Sequence, residues 1–209
     1  AGAIEKIARK IEATDADIVY FDFYKEYPPK SKAKRERDYA VDAQREYVRN
    51  MYNHRSYASV WNKCVRHSLY KEHKIYTPQY GYAEDCYLMS QLVGYSSSIV
   101  HLEEYLYHYR KGNPNALTGQ QRRKRKREYA LNFLDLYERY KDVPTEKNPV
   151  AVIFDDMLIQ AGWYSIFYRL DLFKQYPWLA AAVRKAKMHR KTDVWLLSQL
   201  ITKIYCLFK

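Results

Sequence analysis

Residues 81–92, GYAEDCYLMSQL, set two adjacent carboxylates, Glu84 and Asp85, where an apolar helical pattern begins. A carboxylate at a helix N-terminus is held ionised by the helix dipole and the free backbone N–H groups, and an ionised carboxylate is what a general base must be. Pro78 and Gly81 in the preceding IYTPQYGY mark a loop that delivers the pair to a helix running to about Val93. Acidic residues in a first turn also act as plain caps and dipole partners. The dipeptide alone leaves catalysis and capping both open.

Other residue types with chemical potential carry less. Asp155-Asp156 lies in an apolar stretch with no loop before it and reads as structural, and Asp15-Ala16-Asp17 reads as the turn between a helix and a strand. His54, His67, His73, His101, His108 and His189 show no HExxH spacing, and Cys64, Cys86 and Cys206 form no CxxC. Three scattered cysteines make no disulfide framework, which suggests a reducing compartment. With six glycines and neither a G-x-G-x-x-G nor a Walker loop, nothing cradles a nucleotide phosphate through glycine. Tyrosine is abundant at 23 residues, but aromatic rings fill cores and interfaces as well as stacking on sugars.

The chain has 209 residues and is 47% hydrophobic, enough for a substantial core. Lys and Arg number 36 against 24 Asp and Glu, a formal charge of +12, of which the run RRKRKR at 122–127 supplies half. Such a surface suits an anionic partner: a phosphorylated ligand, an acidic membrane leaflet or nucleic acid. No apolar run is long enough to span a bilayer and no signal peptide is present, so the expected location is cytoplasmic.

The elements that position the acidic pair follow from pattern. Ile4, Ile7, Ala8 and Ile11 recur at helical spacing, and ADIVYFDFY (16–24) is a dense β-branched and aromatic strand. KEYPPKSKAKRERD (25–38) predicts a loop, 39–53 a polar helix, and a short helix begins near Arg66 around Leu69. SSIVHLEEYLYHYR (97–110) predicts two short strands, followed by the turn-rich KGNPNALTG. Beyond it, Tyr129, Phe133, Leu136, Tyr137 and Tyr140 form one helix face, 150–170 is a buried helix, and Leu197, Ile201, Ile204, Tyr205 and Phe208 mark a last amphipathic helix. The layout is an α/β portion over 1–119 and an α-helical extension over 120–209. Ala1-Gly2-Ala3 has no start methionine and leads straight into the first helix, as in a chain cut from something longer.

The succession SVWNKCVRHSLYKEHKIYTPQYGYAEDCYLMSQLV, then IVHLEEYLYHYRKGNPNALTG, resembles the back half of family 2 glycosyltransferases of the GT-A fold. The features that carry it are Trp61-Asn62-Lys63, the Ile75 and Pro78 segment, the Glu84-Asp85 pair, the strand residues Leu106, Tyr107, Tyr109 and Arg110, and Thr118 in the following loop. The match covers roughly residues 4–119. The resemblance implies a truncated GT-A fold and an inverting transfer of a sugar from a nucleoside-diphosphate donor to a hydroxyl of a glycan or lipid-linked acceptor, as in cell-surface polysaccharide synthesis. It makes Asp85 the general base and Glu84 and Trp61 acceptor-binding residues, Glu84 being equally a cap. It places His108, Arg110 and Lys111 where a loop closes over the diphosphate.

One base suffices for such chemistry, because the acceptor oxygen loses a proton while a divalent cation, Mg or Mn in the full-length enzyme, and positive side chains stabilise the departing diphosphate. The family's nucleotide pocket and metal-binding D-x-D belong to a front half that this sequence does not show. The chain by itself is therefore expected to bind neither metal nor donor and to be inactive. The run 122–127 reads as a solvated first turn leading into the Tyr129 helix, or, with the segment RKAKMHRK (184–191), as a surface for peripheral contact with an acidic membrane face. The alternative from a different class is a non-catalytic basic module for nucleic acid or phosphorylated surfaces. It would be indifferent to Asp85 and sensitive to neutralising 122–127.

Overall fold

The structure, a computed structural model, describes residues 2–27, 33–38, 41, 43–112 and 121–186. It divides into two compact units, Ala1–Thr77 with Asp85–Gln120, and Pro78–Glu84 with Gln121–Lys209. The C-terminal amphipathic helix, most of the segment 184–191, Thr118 and Cys206 lie outside the described residues.

The first unit is built on a four-stranded sheet. Helix α1 (Ala3–Thr14) ends at Asp15, which adopts a left-handed conformation (φ 49°) and donates its N–H to Ile11 O at 2.7 Å. Strand β1 (Ile18–Glu26) follows, with Ile18 through Phe23 all buried, as expected of a strand covered on both faces. Strand β4 (Ile99–Arg110) pairs parallel with β1 from Ile18↔Ile99 to Glu26↔Arg110. A strand has two edges, so β2 (Lys34–Glu36) and β3 (Lys63–Val65) share the other, both antiparallel: Phe23 to Lys25 face β2, and Ile18 to Tyr20 face β3. The long crossover that a parallel pair needs carries α2 (Gln44–Tyr52), α3 (Ser68–Glu72) and α4 (Glu84–Tyr95). Tyr20, Phe23, Tyr47, Met51, Tyr87, Met89, Leu92 and Ile99 form the centre of the core, each under 2% exposed. At about 1.5–3 kcal/mol per large apolar side chain, this cluster is the main support for the sheet.

Three expectations from pattern need correction here. The stretch 97–110 is one twelve-residue strand rather than two. Its apparent break at Glu103-Glu104 is a bulge where the register shifts around Asp22, and the two carboxylates pair outward with Arg37 (3.5 Å) and Lys6 (2.8 Å). Within 25–38, Lys25 and Glu26 still belong to β1 and 34–36 form β2, because Glu36 is gripped by Lys25 (3.4 Å), Lys34 (3.1 Å) and the Tyr57 hydroxyl (3.0 Å). Lys63–Val65, where the pattern predicts no element, is a sheet strand.

In the second unit, α5 (Arg122–Tyr140) packs a face of Tyr129, Phe133, Leu136 and Tyr140 against α6 (Phe154–Phe167), followed by α7 (Leu172–Gln175) and α8 (Leu179–Lys185). Helix α6 begins at Phe154, after a 3₁₀ turn at Ala151–Ile153, rather than at residue 150. Asp155 and Asp156 thus sit in its first turn as partners of the dipole, with a loop before them after all.

Candidate functional site

Asp85 is the second residue of α4, and the residue just before the helix, Ala83, has φ 65°. A left-handed residue with a Cβ costs roughly 1–2 kcal/mol, so the chain enters the acidic pair under local strain. The loop ahead is fixed at both ends by side-chain amides. In the first unit, Gln91 accepts from the Tyr76 N–H (2.9 Å) and donates to the Tyr76 carbonyl (3.0 Å). In the second, buried Asn132 accepts from the Tyr80 N–H (3.2 Å) and donates to the carbonyls of Tyr80 (2.9 Å) and Tyr82 (3.0 Å).

Within the first unit, Asp85 is partly buried, and the Val60 backbone N–H lies close enough to favour its charged form. Burial raises its pKa above the usual aspartate value, opposed by that N–H and by the charge of Lys63. The result is a carboxylate more basic than a surface aspartate, and among the described residues it is locked in no ion pair within the usual contact distance. Lys63 lies on β3, in register with Tyr20, and donates to the carbonyls of Tyr57 (2.6 Å) and Ser59 (2.8 Å) and to Asn62 Oδ1 (2.9 Å). Burial pushes its pKa down to about 8, against the pull of Asp38, Asp85 and Cys86. Cys86, next to Asp85, is buried, and burial raises its thiol to about 12, so it is no nucleophile at neutral pH.

The turn at 57–62 rests on buried Asp38. Its Oδ1 accepts from the Tyr57 N–H (3.1 Å), and its Oδ2 accepts from the Tyr47 hydroxyl (2.8 Å) and from Asn62 Nδ2 (3.3 Å). Asp38 in turn donates its own N–H to Asp22 Oδ1 (3.0 Å), which also lies 2.8 Å from His101 Nε2. This carboxylate network was not legible in the sequence, where Asp38 ends a charged loop and Asp22 sits inside an aromatic strand with no local signal.

Trp61, carried by the same turn, stacks on Tyr107 (4.6 Å, 22°) and Tyr109 (5.0 Å, 10°) and meets Phe23 edge-on. Lys111 Nζ stands 4.7 Å over the Tyr109 ring. The structure therefore brings Trp61 and Lys111 together on one face of the sheet. His108 belongs to the other face, stacked on Tyr24 (4.8 Å) with Nδ1 2.7 Å from Glu26 Oε1. Arg110, exposed, is in register with Glu26. Glu84 is exposed and belongs to the second unit, whose boundary falls between the two acids.

Among the described residues no group of three or more His, Cys, Asp or Glu could hold a metal ion. The DAD triplet is a turn: Arg66 pairs with Asp15 (2.6 Å) and Asp17 (2.9 Å), and Asp17 Oδ2 accepts from the Ser97 N–H (2.6 Å). In the second unit a groove of about 450 Å³ is lined by Tyr137, Phe154 and Trp178 with Glu138, Asp155 and Lys185.

The basic run 122–127 forms the start of α5. Arg123 donates to the Tyr168 (2.9 Å) and Arg169 (2.8 Å) carbonyls at the end of α6, and Lys126 donates to the Tyr164 hydroxyl (2.8 Å). Arg125 and Arg122 lie over the Tyr82 and Tyr168 rings. Arg123 and Lys126 thus tie the start of α5 to α6, while Arg122, Arg123, Lys124 and Arg127 remain exposed. No helix among the described residues is long and apolar enough to cross a membrane.

No protein-family model matches the chain, and no curated protein matches it. Among solved structures it is similar to a crystal structure of S. aureus TarS 1–349 in complex with UDP-GlcNAc, with a TM-score of 0.52 and 15% identity over 87% of this chain and 51% of that one. A second crystal structure of S. aureus TarS 1–349 matches with a TM-score of 0.48 and 15% identity, covering 87% of this chain and 50% of that one. The chain spans about half the length of the TarS structure it matches. The likeness shows a mixed α/β fold shared with that TarS structure.

Proposed function

We propose that this chain is the acceptor-side half of a family 2, GT-A-type glycosyltransferase domain, which moves a sugar from a nucleoside-diphosphate donor to a hydroxyl of a glycan or lipid-linked acceptor with inversion. The observation that carries the reading is Asp85: a partly buried carboxylate of raised basicity at the start of a helix, steadied by one backbone N–H and next to the turn that bears Trp61. The fold shared with TarS, which was crystallised with UDP-GlcNAc, supports a nucleotide-sugar donor.

In this mechanism the acceptor hydroxyl donates its proton to Asp85 as its oxygen attacks the anomeric carbon from the face opposite the diphosphate. A single displacement then inverts that carbon. Trp61, flat against Tyr107 and Tyr109, offers an aromatic surface for the acceptor ring, and Lys111 supplies positive charge at the end of β4. The basic-module alternative loses Arg123 and Lys126, which are spent on α6, and keeps the exposed Lys124 and Arg127.

The test is transfer by the longest natural protein containing this chain, assayed against a panel of nucleotide sugars. Asp85→Asn should lower turnover by about 10²–10⁴-fold, the usual contribution of a general base, while donor binding persists. Turnover surviving that substitution would end the reading. Residues 1–209 alone, titrated with UDP-GlcNAc, should show no binding.

A further inference from the structure

A lysine held among carbonyls beside a candidate base is an unusual use of a part-buried charge. The Lys63 ammonium has three donors, and the turn at 57–62 presents three acceptors to it: the Tyr57 and Ser59 carbonyls and Asn62 Oδ1. Those acceptors belong to the turn that supplies the Val60 N–H to Asp85. Resting on the glycosyltransferase reading above, we infer that Lys63 is a positioning residue for the site: its ammonium gathers the 57–62 turn into one conformation and so keeps Trp61 on its aromatic platform and the Val60 N–H beside Asp85.

The charged and titratable groups facing Lys63 come from every element around it. Asp38 arrives from the segment after β2, Asp85 and Cys86 from α4, and Tyr47 from α2 with its ring 5.7 Å from the ammonium. Asp38 grips the same turn from the other side through the Tyr57 N–H and Asn62. The turn is therefore clamped between a cation that binds its acceptors and an anion that binds its donors. A neutral amine keeps two donors and gains a lone pair, so loss of the proton leaves one acceptor unmatched and turns the lone pair toward an oxygen. Burial already brings that proton loss down to about pH 8, so the clamp should loosen within an accessible range.

This predicts an alkaline limb in the activity profile that belongs to Lys63, not to the base. In the full-length protein, wild type should lose kcat above about pH 8 with little change in donor KM. Lys63→Arg, whose guanidinium keeps its charge, should move that limb up by more than one pH unit. Lys63→Met should lower kcat at least tenfold at pH 7 and abolish the limb. Amide hydrogen exchange at Tyr57, whose N–H is held by Asp38 in the same turn, gives a readout independent of activity and should speed up at least tenfold in Lys63→Met at pH 7. Faster exchange in a protein that transfers no sugar would sustain the clamp and sink the function proposed above. Unchanged exchange at Tyr57, or an alkaline limb that stays put in Lys63→Arg, would overturn the clamp; if Lys63→Met fails to fold, the Lys63→Arg profile decides.

Discussion

Asn132 and Tyr80 form a two-way amide pair: the side-chain oxygen accepts from the Tyr80 N–H at 3.2 Å while the side-chain nitrogen donates to the Tyr80 carbonyl at 2.9 Å. This is the pattern one strand offers another, supplied by a single side chain that is 1% exposed on α5. It lets an irregular loop satisfy its backbone without secondary structure. Replacing Asn132 with Ala leaves the Tyr80 and Tyr82 groups without their partner and should cost about 3 kcal/mol of stability, read from the urea midpoint. Asn132→Asp keeps the acceptor but loses both donated bonds, and should cost no less.

The basic run separates into structural and free members. Arg123→Ala removes both bonds that close the end of α6 and should cost about 1–2 kcal/mol. Lys124 and Arg127 are exposed, and Lys124 makes only a 3.8 Å surface pair with Glu128. Changing both to Gln should shift stability by less than about 0.5 kcal/mol. Thermal denaturation of the two variants side by side checks the contrast.

Lys63 also gives a stability signature with a definite sign. Its folded-state pKa is about 8 against 10.5 for the free side chain, so between those values the unfolded chain holds a proton that the folded chain has released. Stability from this group therefore rises with pH through that window, at up to about 1.4 kcal/mol per pH unit. The measurement is best made from pH 8 to 9.5, below tyrosine titration, as the difference in unfolding free energy between wild type and Lys63→Met. A flat difference would contradict the part-buried ammonium.

Asp22 is fully buried, with Oδ1 holding the Asp38 N–H and facing His101, and with Arg37 Nε 3.7 Å from Oδ2. Asp22→Ala strips the centre from this network and should cost about 3–5 kcal/mol. Asp22→Asn retains an oxygen for the Asp38 N–H and should cost less. Chemical denaturation of both variants gives the order.

The sequence shows clearly what depends on local periodicity. Helices α4 and α5 and strand β1 stand where apolar spacing puts them, because each buries one continuous face or run, and α1 stands there too while burying only Ile7. It fails where long-range pairing decides. Strand β2 is three residues of charged sequence that become a strand only because Glu36 meets Lys25 and Tyr57, and β4 looks interrupted because its bulge is defined by Asp22 on another strand. At the candidate site Asp85 is visible as a helix-start carboxylate, but its basicity depends on burial and on Val60, which spacing cannot show. Asp38 and Asp22 give no local signal because their partners come from strands and turns remote in sequence.

The parallel pairing of β1 with β4 has a bearing on biosynthesis. At ~5–20 residues per second, a ribosome needs on the order of 4–16 s to add the roughly 80 residues separating the ends of the two strands. Throughout that interval the greasy hexapeptide Ile18–Phe23 emerges with no mate along its longer edge. A nascent chain of this design is a natural client for chaperones that shield emerging strands.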